Sequence, residues 1–386
     1  MDSTPSTAPL FELFGRDRVL DERPTPWPPA PPWRPSLSAD QLETVMPLEK
    51  DKGLWDELLK RADPGGLEQS KGEVFSLPED SAPGGDAGVS AGEKVRLAVN
   101  AAIHLRRPLL VSGDPGTGKT SLAYAIAWQL RLGPVLTWPI TPRSRLREDG
   151  LYGYDAIGRL YATQIAAARP AAPGVPQDGA EAANQAGAIG PFLKLGPVGT
   201  AFLPSRWPRV LLIDEIDKAD LQLPNELLHL FEEGQFAIEE LRREGGEESE
   251  ATVRTCDERL VSIRGGMVHC HEFPIVVMTS NRERDFPPAF HRRCLRVDMP
   301  RPTPLSLEQA VKRHFQGRGA TWNPDHDDLL KESITAFLQG GNNPDRAIDQ
   351  LLNAVFLLTQ TSAEQLREAP LRELRQILQR RLSETG

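Results

Sequence analysis

One stretch constrains this chain more than any other. The apolar run Pro108-Leu-Leu-Val-Ser112 leads into Gly113-Asp-Pro-Gly-Thr-Gly-Lys-Thr120, and a helical pattern follows. A buried parallel strand, a glycine-rich turn and a helix start are the context that G-x-x-x-x-G-K-[ST] requires. The glycines permit backbone angles that a side chain would forbid. Successive N–H groups can then turn inward around phosphate oxygens at the positive end of the helix. The candidate nucleotide-binding set is Gly113, Asp114, Pro115, Gly116, Thr117, Gly118, Lys119, Thr120 and Ser121. Lys119 is placed to reach the β- and γ-phosphates, and the Thr120 hydroxyl to ligate Mg2+.

About 95 residues later, Arg209-Val-Leu-Leu-Ile-Asp-Glu-Ile-Asp-Lys218 gives the second signal. Four apolar residues predict a strand buried on both faces. Asp214 and Glu215 close it at the carboxyl end, where ligands bind in open parallel sheets. Asp214 is a candidate Mg2+ ligand beside Thr120, and Glu215 a candidate base for an attacking water. A further buried strand, Pro274-Ile-Val-Val-Met-Thr-Ser-Asn281, ends on Asn281, which is placed to orient that water. Arg292 and Arg293 follow in Phe286-Pro-Pro-Ala-Phe-His-Arg-Arg-Cys294.

Composition narrows the class. In 386 residues no apolar run approaches a membrane span, and Met1 to Gly15 lacks the basic-then-apolar order of a signal peptide. Three cysteines make no disulfide framework, so a reducing cytoplasm is expected. A formal net charge of −9 argues against broad, sequence-independent binding to nucleic acid.

The first 40 or so residues are rich in Pro, Ser and Thr, and the prolines exclude helix and central strand. Trp27 and Trp33 are costly to leave in water, so this arm is expected on a protein surface, its own or a neighbour's. A short strand is expected at 74–77, a loop at 78–90 and a helix at 89–105. Gly150 to Asp155 reads as a loop, and residues 166–190 as a mobile low-complexity stretch. One or two hairpins are expected between 235 and 270, with the acidic run 239–250 as a solvated tip. His269-Cys-His271 alternates as a strand would, but offers too few ligands for a closed metal site. After a linker at 300–304 the chain reads as helical, at 305–316, 325–339, 344–360 and 363–383. Arg346, in a first helical turn, is a cation at the wrong end of a helix dipole unless an anion lies near.

In this order the motifs resemble Walker A, Walker B, sensor 1, arginine finger and sensor 2 of AAA+ ATPases. Gly190-Pro-Phe-Leu-Lys-Leu-Gly-Pro197, Leu211 to Ala219, Phe231-Glu-Glu-Gly-Gln235 and Pro287 to Leu295 are similar to the MoxR family within that class. The Pro/Trp arm, Trp138 to Ser144 and Tyr152 to Arg159 resemble a MoxR subgroup found beside von Willebrand factor A proteins in bacterial conflict systems. The resemblance implies an α/β parallel-sheet P-loop core over 73–300, with inserts near 145–196 and 236–272. It implies an N-terminal arm and short helix over 1–72 and a helical lid over 301–386. It further implies Mg2+-dependent ATP hydrolysis in a ring, usually hexameric, that remodels a partner protein. Arg293 matches the finger that reaches a neighbour's γ-phosphate, with Arg292 as the fallback, because His291-Arg-Arg-Cys294 replaces the common Leu-Asp-Arg-Phe. Arg346 matches the lid sensor. A nucleotide-loaded switch with little turnover and a nucleic-acid-stimulated motor are the rival readings.

Overall fold

Continuous apolar strands can be buried only if both faces of their sheet are covered. The computed structural model describes residues 13–15, 20, 22–34, 36–61, 71–73, 75, 77, 89–168, 188–245, 249–316, 322–339 and 348–359. Helices α1 (Ala39–Val45), α2 (Leu48–Arg61) and α3 (Ala91–Leu105) precede strand β1 (Leu109–Ser112). Helix α4 (Lys119–Gln129) and β2 (Leu136–Pro139) follow, then β3 (Tyr152–Tyr154), α5 (Ala156–Ala168), β4 (Leu193–Leu195) and α6 (Pro197–Ala201). Next come β5 (Val210–Asp214), α7 (Gln222–Glu233), β6 (Gln235–Ala237), α8 (Glu239–Gly245), β7 (Glu250–Arg254), β8 (Leu260–Arg264) and β9 (Met267–His269). The rest is β10 (Ile275–Ser280), α9 (Pro288–Arg293), β11 (Leu295–Asp298), α10 (Pro304–Gln316), α11 (Asp327–Gln339) and α12 (Ile348–Thr359).

Five parallel strands form the central sheet in the order β11-β1-β10-β5-β2. Strand residues alternate between two cores. Leu211, Ile213, Val276 and Met278 face one, while Val210, Leu212, Ile275 and Val277 face the other. Ser112, Asp214 and Ser280 therefore share one end of the sheet, with β1 and β5 flanking β10.

The two inserts are one structure. β3 pairs antiparallel with β4, β4 meets β7 in parallel through Lys194 and Arg254, and β7 pairs antiparallel with β8. Gly150 to Asp155 was expected as a loop, but Tyr152–Tyr154 is a strand here. Its backbone is satisfied by β4, which lies some 40 residues away in sequence. In the acidic run, expected as a solvated tip, Glu239, Glu244 and Glu250 are exposed but Glu240 is half-buried. Residues Glu239–Gly245 form α8, and Glu240 accepts a 2.7 Å hydrogen bond from the Tyr152 hydroxyl while pairing with Arg147 at 2.8 Å.

The described residues of the N-terminal arm pack on the chain's own core. Asn100 of α3 accepts from Phe14 N–H at 2.9 Å and donates to Phe14 C=O at 2.9 Å. Trp207 donates to the Pro24 carbonyl at 3.0 Å, and the Arg23 guanidinium lies over the Trp207 and Trp55 rings. Trp27 is buried as expected, but Trp33 is 75% exposed. Three helices, α10 to α12, bury a separate apolar cluster around Val311, Leu330, Ile334 and Leu351. The strand expected at 74–77 falls partly, and the segments 78–88 and 169–187, helix 363–383 and Arg346 wholly, outside the described residues.

Candidate nucleotide site

The phosphate loop adopts the conformation its glycines allow. Gly116 and Gly118 have φ of 75° and 85°, in the left-handed region that glycine enters without strain. Gly118 is also the N-cap of α4, and no side chain caps that helix. Its first-turn N–H groups are thus left for an outside acceptor. Lys119 is buried, and its Nζ donates to the Gly113 and Asp114 carbonyls at 2.8 Å each. Burial lowers its pKa from the ordinary lysine value, opposed by the nearby carboxylates of Asp217, Asp114, Asp214 and Glu215. Arg301, between β11 and α10, reaches back to Asp114 Oδ2 at 2.9 Å.

The two acidic signals converge on this loop. Thr120 Oγ1 donates to Asp214 Oδ1 at 3.0 Å, which joins the first helical turn to the end of β5. The same Oδ1 accepts from Thr279 Oγ1 at 2.6 Å, and Thr279 Oγ1 accepts from the Glu215 N–H at 2.8 Å. Glu215 takes φ 60° and ψ 49°, a left-handed conformation that costs a non-glycine residue about 1 kcal/mol or more. Its carboxylate accepts from Asn281 Nδ2 at 3.4 Å through Oε1 and from Lys218 Nζ at 2.6 Å through Oε2. Asp217 is 2% exposed, and its Oδ2 accepts from the Asn281 and Glu283 N–H groups at 2.8 and 3.1 Å. Thr279 and Asp217 thus hold Asp214, Glu215 and Asn281 in one cluster.

Hard oxygen donors suit a divalent cation of the Mg2+ type. The Thr120 hydroxyl and the Asp214 carboxylate lie together, and Asp214 Oδ2 takes no hydrogen bond from the described residues. The donor set therefore fits Mg2+. Ser121 is half-buried in the first turn of α4. Arg292 and Arg293 end α9 and are exposed; Arg293 Nε pairs with Glu232 of α7, and Arg107 donates to the Arg292 carbonyl at 3.1 Å. At His269-Cys-His271, burial pushes the Cys270 thiol up to about 12, and the His271 ring bonds the Leu37 carbonyl at 2.7 Å. No group of three or more metal-ligating side chains is found among the described residues. Nor is any helix among them long and apolar enough to cross a membrane.

The family match agrees with this geometry. Residues 108–294 match the family model of the AAA domain (dynein-related subfamily). Two solved structures of NtrX from Brucella abortus share 16% identity with the chain. One, in complex with ADP, covers 88% of this chain and 60% of that one with a TM-score of 0.40. The second covers 89% and 67% with a TM-score of 0.39. The chain thus spans about 60% of the length of the first of these. No curated protein matches it. The sheet order, the phosphate loop and the family match define an AAA+ P-loop NTPase fold, with residues 108–294 as its AAA domain.

Proposed function

We propose that this chain hydrolyses ATP at the turn between β1 and α4, in an assembly whose neighbouring subunit completes the site. The observation that carries the reading is the meeting of Thr120 and Asp214 at 3.0 Å, with Lys119, Glu215 and Asn281 around them. Loop N–H groups and Lys119 bind and orient the β- and γ-phosphates. Thr120 and Asp214 would hold Mg2+, which when bound neutralises phosphate charge and fixes its geometry. Asn281 orients a water, and Glu215 takes its proton as the water oxygen bonds to the γ-phosphorus and the bond to the β–γ bridging oxygen breaks.

The finer reading is a MoxR-type ring, usually hexameric, that moves lid against core to remodel a partner of the von Willebrand factor A type or another client. Arg293, or Arg292, would serve the neighbour's γ-phosphate, and Arg346 would sense nucleotide from the lid. One observation favours a low-turnover switch as the second reading: Lys218 holds the Glu215 carboxylate at 2.6 Å.

Glu215→Gln tests the proposal. ATP binding should persist, and turnover should fall by about 10²–10⁴-fold, the contribution of a positioned base. Steady-state phosphate release and equilibrium binding of a fluorescent ATP analogue measure the two. Turnover near the wild-type rate would remove Glu215 from its assigned role.

A further inference from the structure

A cleft of about 890 Å3 opens between helices α1–α2 and the β8–β9 segment. It is not the nucleotide site. Arg209, which lines it, precedes β5, whereas Asp214 closes that strand about 16 Å further on at the usual rise per residue.

Strand β8 is an edge of the insert sheet, with β7 as its neighbour. All of Leu260 to Arg264 line the cleft, so side chains from both faces of the strand meet it. That is the arrangement of a cavity lying along a strand's edge. The backbone register agrees. Thr255 N–H donates to Arg259 C=O and Gly265 N–H to Ser249 C=O, so the hydrogen-bonded pairs with β7 fall at Val261 and Ile263. The N–H and C=O groups of Leu260 and Ser262 therefore point away from β7, and no described residue pairs with them.

The walls specify what could add to this edge. Val45, Leu260 and Met267 are 43%, 65% and 38% exposed at the opening, an apolar rim left to water. Five cations and two carboxylates, Glu57 and Glu258, line the cleft, and of the cations Arg209 and Arg259 are buried and paired with Asp257. Lys50, Arg242 and Arg264 are exposed among them. His269 Nε2 is buried without a partner among the described residues and lines the same space.

We infer that this cleft binds an extended peptide that carries both acidic and apolar side chains. The peptide joins β8 as an added strand. Main-chain bonds to Leu260 and Ser262 supply affinity, and the apolar rim and cations select alternate side chains. This site stands apart from nucleotide chemistry, so its test needs no nucleotide and does not share the fate of the hydrolysis proposal.

The probe is a positional library of amidated heptapeptides, titrated against the full chain by fluorescence anisotropy. Enrichment of Asp or Glu beside Val, Ile or Leu is expected. N-methylation of the best binder at alternate residues should weaken it by about fivefold or more, the loss of at least one net hydrogen bond. Ser262→Pro removes an outward N–H, a substitution that edge strands accept, and should abolish binding with thermal unfolding unchanged. Lys50→Glu with Arg264→Glu should reverse the charge preference. If Ser262→Pro fails to fold, the N-methylated peptides still decide. Equal binding of methylated and unmethylated peptides, a preference for Lys-rich ones, or no binding at all would overturn the inference. So would a Ser262→Pro chain that merely loses self-association, since a second copy would then be the occupant.

Discussion

Thr279 ties together the two acidic residues of the candidate site. Its hydroxyl donates to Asp214 and accepts from the Glu215 N–H while 1% exposed, so it fixes both the candidate metal ligand and the candidate base. Thr279→Val keeps the shape and removes both bonds. A buried donor and acceptor left unsatisfied cost about 1–3 kcal/mol, and loss of an outer partner of a metal ligand costs about 10–100-fold in activity or metal affinity. Chemical denaturation and the Mg2+ dependence of turnover should show both losses; a fully active, fully stable variant would reduce Thr279 to packing. Lys218→Ala acts the other way. It frees Glu215 from an exposed, solvent-screened pair worth at most about 1 kcal/mol, so basal turnover should rise by no more than about fivefold. A fall would mean that Lys218 helps to hold the base in place. Neither role is legible locally. A threonine near the end of an apolar strand reads as a strand former, and Asp217 in an acidic turn reads as solvated. Only the adjacency of β10 and β5 sets Thr279 against Asp214 and Asp217 against the Asn281 N–H.

The hairpin of β7 and β8 is fastened to the sheet by one buried charge cluster. Asp257, in the loop between these strands, accepts from Arg209 Nη1 at 2.9 Å and Arg259 Nε at 3.0 Å, and Arg209 also donates to the Pro134 carbonyl at 3.1 Å. Burial pushes the Asp257 carboxyl upward, but the two guanidiniums outweigh it and bring the pKa down to about 2. A depressed carboxylate stabilises the fold fully above its unfolded pKa of about 4 and loses that contribution as pH falls through 2. The difference corresponds to about 2.5 kcal/mol. Urea unfolding should therefore show a loss between pH 4 and pH 2 that Asp257→Asn lacks. At pH 7 the same variant should lose about 3–5 kcal/mol, because Arg209 becomes a buried charge without its carboxylate. A variant with the wild-type pH profile would sink this account. The central strands were legible because continuous apolar runs admit few other fates. The hairpins expected between 235 and 270 were legible too, as the antiparallel pairs β6–β9 and β7–β8. Strands β3 and β4 were not: at three residues, Tyr152–Tyr154 and Leu193–Leu195 carry no period to read, and they pair some 40 residues apart in sequence. The same distance hid the helix over Glu239–Gly245, whose Glu240 is anchored by Tyr152 and Arg147 rather than by water.

At the scale of the molecule, the described residues bring Lys119, Thr120, Asp214, Glu215 and Asn281 together within one chain, and the shared-site proposal adds a positive charge facing the γ-phosphate from a neighbour. Arg293 lies exposed at the end of α9 and pairs with Glu232 of its own chain. To serve a neighbour it must leave that exposed pair, which holds it only weakly. On the shared-site proposal, Arg293→Ala should keep ATP binding and lose about 10³-fold or more in turnover, the scale of an arginine supplied in trans. Mixing then separates sharing from misfolding. Glu215→Gln subunits cannot hydrolyse but retain Arg293, while Arg293→Ala subunits retain Glu215. At an interface where the first serves the second, an intact base meets an intact arginine, so the mixture should recover activity that neither variant has alone. Recovery should depend on total protein concentration across the assembly range. A mixture as inactive as its parts, with both variants folded and binding ATP, would show that each chain acts alone. If Arg293→Ala is near wild type and Arg292→Ala is not, the finger moves by one residue and the shared site stands.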